Sequence, residues 1–283
     1  MTMNMCKDFF SNLFRKRITE QDVTENMVTN EEIIPADTVN VVHNEAVGTS
    51  DKPIVSATTT DEPIGGGKPY EDANFYVLLD NGHAKSTAGK CSPLLDDGSR
   101  FYEWQFNRDV VARIAKKLDV LGIKYHILVP ESNEDIGLTA RANRANAYCK
   151  KYGTKNCMFI SVHSNAYGDG KKWEDPGRWS VWTTVGVTKS DEYGKIFYQV
   201  AEEKLKPYGF GCRDGKVQGN GNEGPDYESN FTVIYKTWCP AILTENLFYT
   251  NKKECEWLMT SEARDVIADI HVEGIKRIID SLE

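Results

Sequence analysis

From Phe75 onward, short apolar runs alternate with longer stretches of helical periodicity, and this alternation constrains the fold more than any other feature of the chain. FYVLLD (75–80) reads as a buried strand. Residues 102–121 read as a helix, because Phe106, Val110, Ile114 and Leu118 recur every four positions, and Gly122 ends it. IKYHILV (123–129) is then a strand stopped by Pro130, 136–152 a helix, MFISVH (158–163) and RWSVWTTV (178–185) strands, and 191–205 a helix. FTVIYK (231–236) and AILTE (241–245) read as strands, and 261–282 closes the chain as a helix. Strands exchanged for helices in this way call for an α/β fold, a sheet sandwiched between helix layers. The connections are long enough for crossovers, so much of the sheet should be parallel.

The first seventy residues have a different texture. Between Ile18 and Gly67 there is no Phe, Tyr or Trp, and the net charge is −9; residues 1–17 carry +3, which leaves −2 of the total −8 for 68–283. A segment so acidic and so poor in large apolar side chains cannot offset the entropy of ordering it. We therefore expect residues 1–70 to be a tail and acidic flexible linker, and 71–283 to be the folded domain that carries the function. Phe9, Phe10, Leu13 and Phe14 could form an amphipathic helix touching a membrane or a partner protein, or a terminal helix without a task. The near-neutral remainder shows no basic stripe, which argues against nucleic acid. No run of about 18 apolar residues suggests a transmembrane segment, and the N-terminus lacks the pattern of a signal peptide. Seven cysteines, an odd number without a Cys-x-x-Cys pair, are expected to be mostly reduced and buried.

Chemistry gathers at four positions. His83 follows the first strand, Glu103 opens the first long helix, His163 ends MFISV and Glu245 ends AILT. If those strands are parallel, His83, His163 and Glu245 share the rim where α/β sheets bind ligands. Glu103 lies one turn before Phe106 and Asn107, on the inward helix face, and would point toward the same rim. Two imidazoles and a carboxylate form the ligand set of a hydrolytic zinc site with an open position. A further carboxylate can move the proton of the attacking water. Each signal has a plainer reading: a first-turn Glu is a favourable dipole partner, and an isolated His is commonly structural. His43, His126 and His271 carry no such conjunction.

LLDNGHA (78–84), FYEWQFN (101–107), LTARANRANAY (138–148) with FISVHSNA (159–166), and SNFTVIYKTWCPAILTENLFYTN (229–251) resemble, in order and spacing, the motifs of the zinc-dependent amidase-3 type of N-acetylmuramoyl-L-alanine amidase. The resemblance runs over roughly residues 73–282. It implies a mixed, largely parallel, roughly six-stranded sheet flanked by helices. It also implies one Zn2+ per chain held by His83, Glu103 and His163, with Glu245 as general base and acid. The implied substrate is peptidoglycan, cut between N-acetylmuramic acid and L-alanine. A zinc peptidase acting within the stem peptide and a non-catalytic wall-binding or virion component remain alternatives. The chain departs from the family where Asn81 stands for Pro, Ala84 for Gly, and Asn246 and Leu247 for a short residue and Gly, and residues 167–180 look lengthened.

Asn165 and Asn246 are expected to hydrogen-bond the muramyl peptide, with simple turn chemistry as the alternative at Asn165. Arg141 and Arg144 should fix their helix, and Asp80 and Asn81 could orient His83. GKVQGNGNEGPDY (215–227) could close over substrate as a loop. The expected protein is a monomer that is made in the cytoplasm and acts on the cell wall, as a phage lysin or after release.

Overall fold

The computed structural model describes residues 67–218 and 224–282. The helix expected within 1–17, most of the acidic linker, His43, Cys6 and the middle of the glycine-rich stretch lie outside the described residues. Lys68 and Tyr70, assigned to the tail from sequence, bond to the folded unit. The Lys68 ammonium donates to Asp119 O at 2.7 Å, and the Tyr70 backbone N–H donates to Leu121 O at 3.0 Å.

The elements in chain order are β1 (Tyr76–Asn81), α1 (Glu103–Leu121), β2 (Lys124–Ile127), α2 (Leu138–Tyr152), β3 (Cys157–Asn165), β4 (Ser180–Thr183), α3 (Lys189–Leu205), β5 (Tyr227–Glu228), α4 (Thr232–Tyr235), β6 (Ala241–Phe248), α5 (Lys252–Leu258) and α6 (Ser261–Asp280). One six-stranded sheet has the order β2-β1-β3-β6-β4-β5. The four strands from β2 to β6 are mutually parallel, β4 runs antiparallel to β6, and β5 lies parallel to β4. The expected mixed, largely parallel sheet is present. Gly122 stops α1 with φ 78°, a left-handed cap that only glycine adopts without steric cost.

Strand alternation divides the interior in two. Val77 and Leu79 of β1, Met158, Ile160 and Val162 of β3, and Ile242 of β6 face the larger core built by α1, α3 and α6. Leu78, Phe159 and Leu243 face the smaller one, with Ala145 and Cys149 of α2 and Val233 and Ile234 of α4. The next residues of that second face, toward the carboxyl ends, are Asp80, Ser161 with His163, and Glu245. The same face that is apolar at its base therefore becomes polar at the rim.

Two expectations are corrected. Residues 231–236 do not form a strand; Thr232–Tyr235 is a single helical turn, and the strand that completes the sheet is β5, Tyr227–Glu228, at its edge. β-Branched and aromatic residues favour a pleated, half-buried surface, but β6 already pairs with β3 and β4, so this segment has no ladder to join there. It buries Val233 and Ile234 against the sheet instead. Helix α5, not anticipated from sequence, is capped by the Asn251 side chain, which accepts from Glu254 N. Among the described residues Cys91, Cys149, Cys157, Cys212, Cys239 and Cys255 are free thiols, and no helix is long and apolar enough to cross a membrane.

Candidate metal centre

Glu103 reaches the rim as the first residue of α1, where its backbone N–H donates to Lys90 O at 3.0 Å. The residue is 1% exposed. Oε1 lies 3.0 Å from His163 Nδ1 and accepts from Ser164 N at 3.3 Å, while Oε2 lies 3.4 Å from His83 Nε2. The two imidazoles meet edge to face, with ring centroids 4.9 Å apart. One donor atom from each of His83, Glu103 and His163 falls within 4.8 Å of the others. Three residues separated by up to eighty positions in sequence thus converge as expected.

The backbone at His83 is left-handed, with φ 58°, a conformation that costs a β-carbon-bearing residue about 1–2 kcal/mol. Side chains from α1 secure it. Arg108 donates to His83 O at 2.9 Å and Asn107 donates to Gly82 O at 3.0 Å. Arg108 also bonds the carbonyl of Glu131. Sequence reasoning missed both residues, although their position one turn beyond Glu103 on the same helix was a usable signal. Gly82 is required for a different reason. A β-carbon there would sit 2.3 Å from His163 Cε1, so the second imidazole packs directly on the Gly82 backbone. Asn81, where the family has proline, ties the end of β1 to the segment that follows β2 by donating to Val129 O at 2.8 Å.

His163 is held from both sides. Opposite Glu103, its Nε2 lies 3.1 Å from Ser161 Oγ, which donates to Asp80 Oδ2 at 2.6 Å. Asp80 Oδ1 in turn accepts from Arg141 at 2.8 Å. Asp80 was expected to orient His83; the structure sets it behind His163, because Asp80 and Ser161 are register partners on adjacent strands. Arg141 and Arg144 brace α2 as expected. Arg141 donates to Ile136 O and Asn81 O, and Arg144 pairs with Glu131 at 2.7 and 2.8 Å.

Glu245 is the register partner of His163 across β3 and β6. In parallel neighbours this places both side chains on one face of the sheet. Its residue is partly buried and its Oε2 is shut off from solvent. Burial drives the carboxyl up to about 7, with His163 opposing the shift and Glu103 reinforcing it. Burial likewise lowers His83 to about 3 against the attraction of Glu103, so that ring is neutral. Burial would also lower His163, but the hydrogen bond and charge of Glu103 outweigh it and hold that ring above its ordinary value. For Glu103 burial is again the largest influence and opposes charge, yet His83 and His163 overcome it and keep the carboxylate ionised.

The donor set fits a zinc ion. Two ring nitrogens and one carboxylate are borderline ligands of the right number for a three-residue hydrolytic site. Glu103 Oε2 is buried without a hydrogen bond among the described residues, a cost that a cation would remove.

Of the two asparagines expected to meet substrate, Asn246 is corrected. It is 0% exposed, donates to His163 O at 2.8 Å and accepts from Trp179 Nε1 at 2.8 Å, so it bonds the strands beneath the site rather than a ligand. Asn165 closes the turn after β3, with Oδ1 accepting from Ala166 N at 2.8 Å. Leu247, where the family has glycine, takes φ 62° and buries its side chain in the larger core. The loop after β6 is secured by Glu254, whose carboxylate accepts from Arg178 N at 2.6 Å and Phe248 N at 2.7 Å.

Residues 77–277 match the family model described as N-acetylmuramoyl-L-alanine amidase. The chain is 29% identical over 208 residues to an endolysin of Bacillus phage SPP1, covering 72% of this chain and 66% of that protein. It is also 29% identical over 202 residues to the amidase CwlM of Bacillus licheniformis, covering 71% and 67% respectively. The chain therefore spans about two thirds of the length of these relatives. In fold it is similar to an N-acetylmuramoyl-L-alanine amidase from Clostridium difficile 630, with a TM-score of 0.58, 22% identity and coverage of 73% of this chain and 97% of the other. The catalytic domain of CwlV from Paenibacillus polymyxa gives a TM-score of 0.56 at 19% identity, with coverage of 73% and 98%.

Proposed function

The chain belongs to the amidase-3 family of N-acetylmuramoyl-L-alanine amidases, and from that premise we propose that it hydrolyses the amide joining N-acetylmuramic acid to L-alanine in peptidoglycan. One observation carries the reading: His83, Glu103 and His163 present donor atoms within 4.8 Å of one another, and Glu245 stands in register beside His163. His83, Glu103 and His163 would hold the ion. A bound zinc supplies Lewis acidity toward the scissile carbonyl and makes water acidic enough to ionise near neutral pH.

The chain's own residues do the rest. Glu245 accepts the proton of the attacking water on its carboxylate and returns it to the departing amide nitrogen. A carboxyl raised to about 7 suits both halves of that transfer, because it neither holds nor surrenders the proton strongly at neutral pH. Asn107 and Arg108 keep the His83 loop in place. Asn165, at the mouth of β3, is the residue we assign to contact with the muramyl peptide. The likeness to the SPP1 endolysin supports a lysin that acts on the wall, and residues 71–283 as the unit that carries the activity.

Mass spectrometry of peptidoglycan digested by the purified chain tests the proposal. Intact stem peptides freed from glycan are expected, with loss of release after zinc chelation and its return on adding zinc. Products cut within the stem peptide or its cross-links would identify a peptidase instead, and no release at all would leave a wall-binding role.

A further inference from the structure

We propose that Asp80 and Ser161 are positioning residues for His163: they fix the proton of the imidazole on Nε2 and so leave Nδ1 as the nitrogen that takes the metal. The inference rests on the reading of His163 as a zinc ligand, but it concerns which ring nitrogen coordinates and what selects it.

The sheet builds this relay. Asp80 and Ser161 are register partners on β1 and β3, and Ser161 and His163 are two residues apart on one strand, so all three side chains rise from the same face. Asp80 is 1% exposed and Ser161 0%. A serine hydroxyl has one proton to give. At 2.6 Å from Asp80 Oδ2, that proton goes to the carboxylate, the stronger acceptor. Ser161 Oγ can then only accept from His163 Nε2, 3.1 Å away, which requires that Nε2 carry hydrogen. Nδ1, the atom that faces Glu103 Oε1 at 3.0 Å, is then the nitrogen left to take the metal.

The direction of the chain is set at its far end. Arg141, 1% exposed, donates to Asp80 Oδ1 at 2.8 Å and to Asn81 O at 2.7 Å, and its second terminal nitrogen pairs with Asp135 at 2.9 Å. A guanidinium has no acceptor to offer, so Asp80 can serve only as acceptor toward both neighbours. The order Arg141 to Asp80, Ser161 to Asp80, His163 to Ser161 is then the one that gives each of these close contacts both a donor and an acceptor. A carboxylate that draws on the Nε2 proton through one hydroxyl also makes the opposite nitrogen a better ligand, and losing such an outer partner lowers metal affinity by about 10–100-fold.

Two measurements test the relay on the full chain. Long-range 15N–1H correlation spectra of the zinc-loaded protein should show the His163 proton on Nε2; a proton on Nδ1 with the metal on Nε2 would overturn the proposal whether or not any variant folds. Competition with a chromophoric zinc chelator should show Ser161→Ala binding zinc about 10–100-fold more weakly than wild type, with a circular dichroism spectrum like that of wild type. Equal affinity in the folded variant would also overturn it. Failure of the wild type to take up zinc at all would instead defeat the metal-site reading on which the proposal rests.

Discussion

His163 on β3 and Glu245 on β6 are register partners in adjacent parallel strands, so the metal-site imidazole and the proton-carrying carboxyl share one face of the sheet. Replacing Glu245 by Gln keeps the shape and removes the base. The variant should bind zinc as wild type does while turnover falls by about 10²–10⁴-fold. Zinc stoichiometry and dye-release from labelled wall, measured on the same preparation, check this; a variant that loses the metal as well would make Glu245 a ligand rather than a base.

The pH profile of that reaction follows from the same carboxyl. Burial raises Glu245 to about 7, and a base works only once its proton has left. Activity should therefore climb as pH rises through this value and level off above it. A cation bound beside it would favour the ionised form and shift the rise downward, so the midpoint should lie at or below about 7. Wild-type kcat/KM that declines between pH 5 and 7 would contradict the assignment.

Gly82 offers a steric test of the centre. A β-carbon there meets His163 Cε1 at 2.3 Å and both ring nitrogens at 2.5 Å, so Gly82→Ala must displace the imidazole from its present position. Zinc affinity should drop by at least the 10–100-fold associated with a disturbed ligand shell. Gly89→Ala is the control. Its φ of 75° makes the substitution strained by about 1–2 kcal/mol, but nothing lies within 4 Å of the added carbon. Chelator competition should separate the two, and equal zinc affinity would show that His163 can shift without cost.

Leu247 poses an energetic choice. Its left-handed backbone is unfavourable by about 1–2 kcal/mol relative to glycine. Its side chain, 0% exposed, contributes more, since deleting a buried leucine costs about 2–5 kcal/mol. The packing term wins. Leu247→Gly should therefore lower stability in urea, even though glycine suits the backbone better. A variant as stable as wild type would mean the loop relaxes to fill the space.

These residues also show what a sequence can and cannot reveal. His83, Glu103, His163 and Glu245 were legible because each sits at the end of an element whose boundary is marked locally by apolar periodicity and a stop. The family departure at Leu247 was equally visible. What escaped was pairing between elements. Asp80 supports His163 rather than His83 because of the register between β1 and β3, which no local pattern encodes. Asn246 lies next to Glu245 in β6 and so points to the opposite face of the sheet, where its partners Trp179 and the His163 carbonyl come from other elements. FTVIYK had strand propensity and no neighbouring strand to satisfy it. Sequence gives the period of an element; the sheet decides what lies beside it.

His271, which had no role assignable from sequence, yields a pH-dependent stability. It is 0% exposed, with Nδ1 donating to Ile267 O at 2.7 Å and Nε2 2.9 Å from Thr244 Oγ1. Nε2 therefore accepts the hydroxyl proton, and Thr244 Oγ1 accepts from Asn246, whose amide also holds His163 O. Burial lowers the ring from 6.5 to about 4, with the Ile267 carbonyl partly opposing the shift. Between those values the unfolded chain binds the proton and the native protein does not. The stabilisation is complete above about pH 6.5 and is lost as pH falls toward 4, at up to about 1.4 kcal/mol per pH unit. His83, Glu245 and other buried groups titrate in the same range, so the useful quantity is a difference. The stability gap in urea between wild type and His271→Gln should narrow as pH is lowered from 7.5 to 4.5. A gap that stays constant would show that His271 takes up its proton without disturbing the strand that carries Glu245.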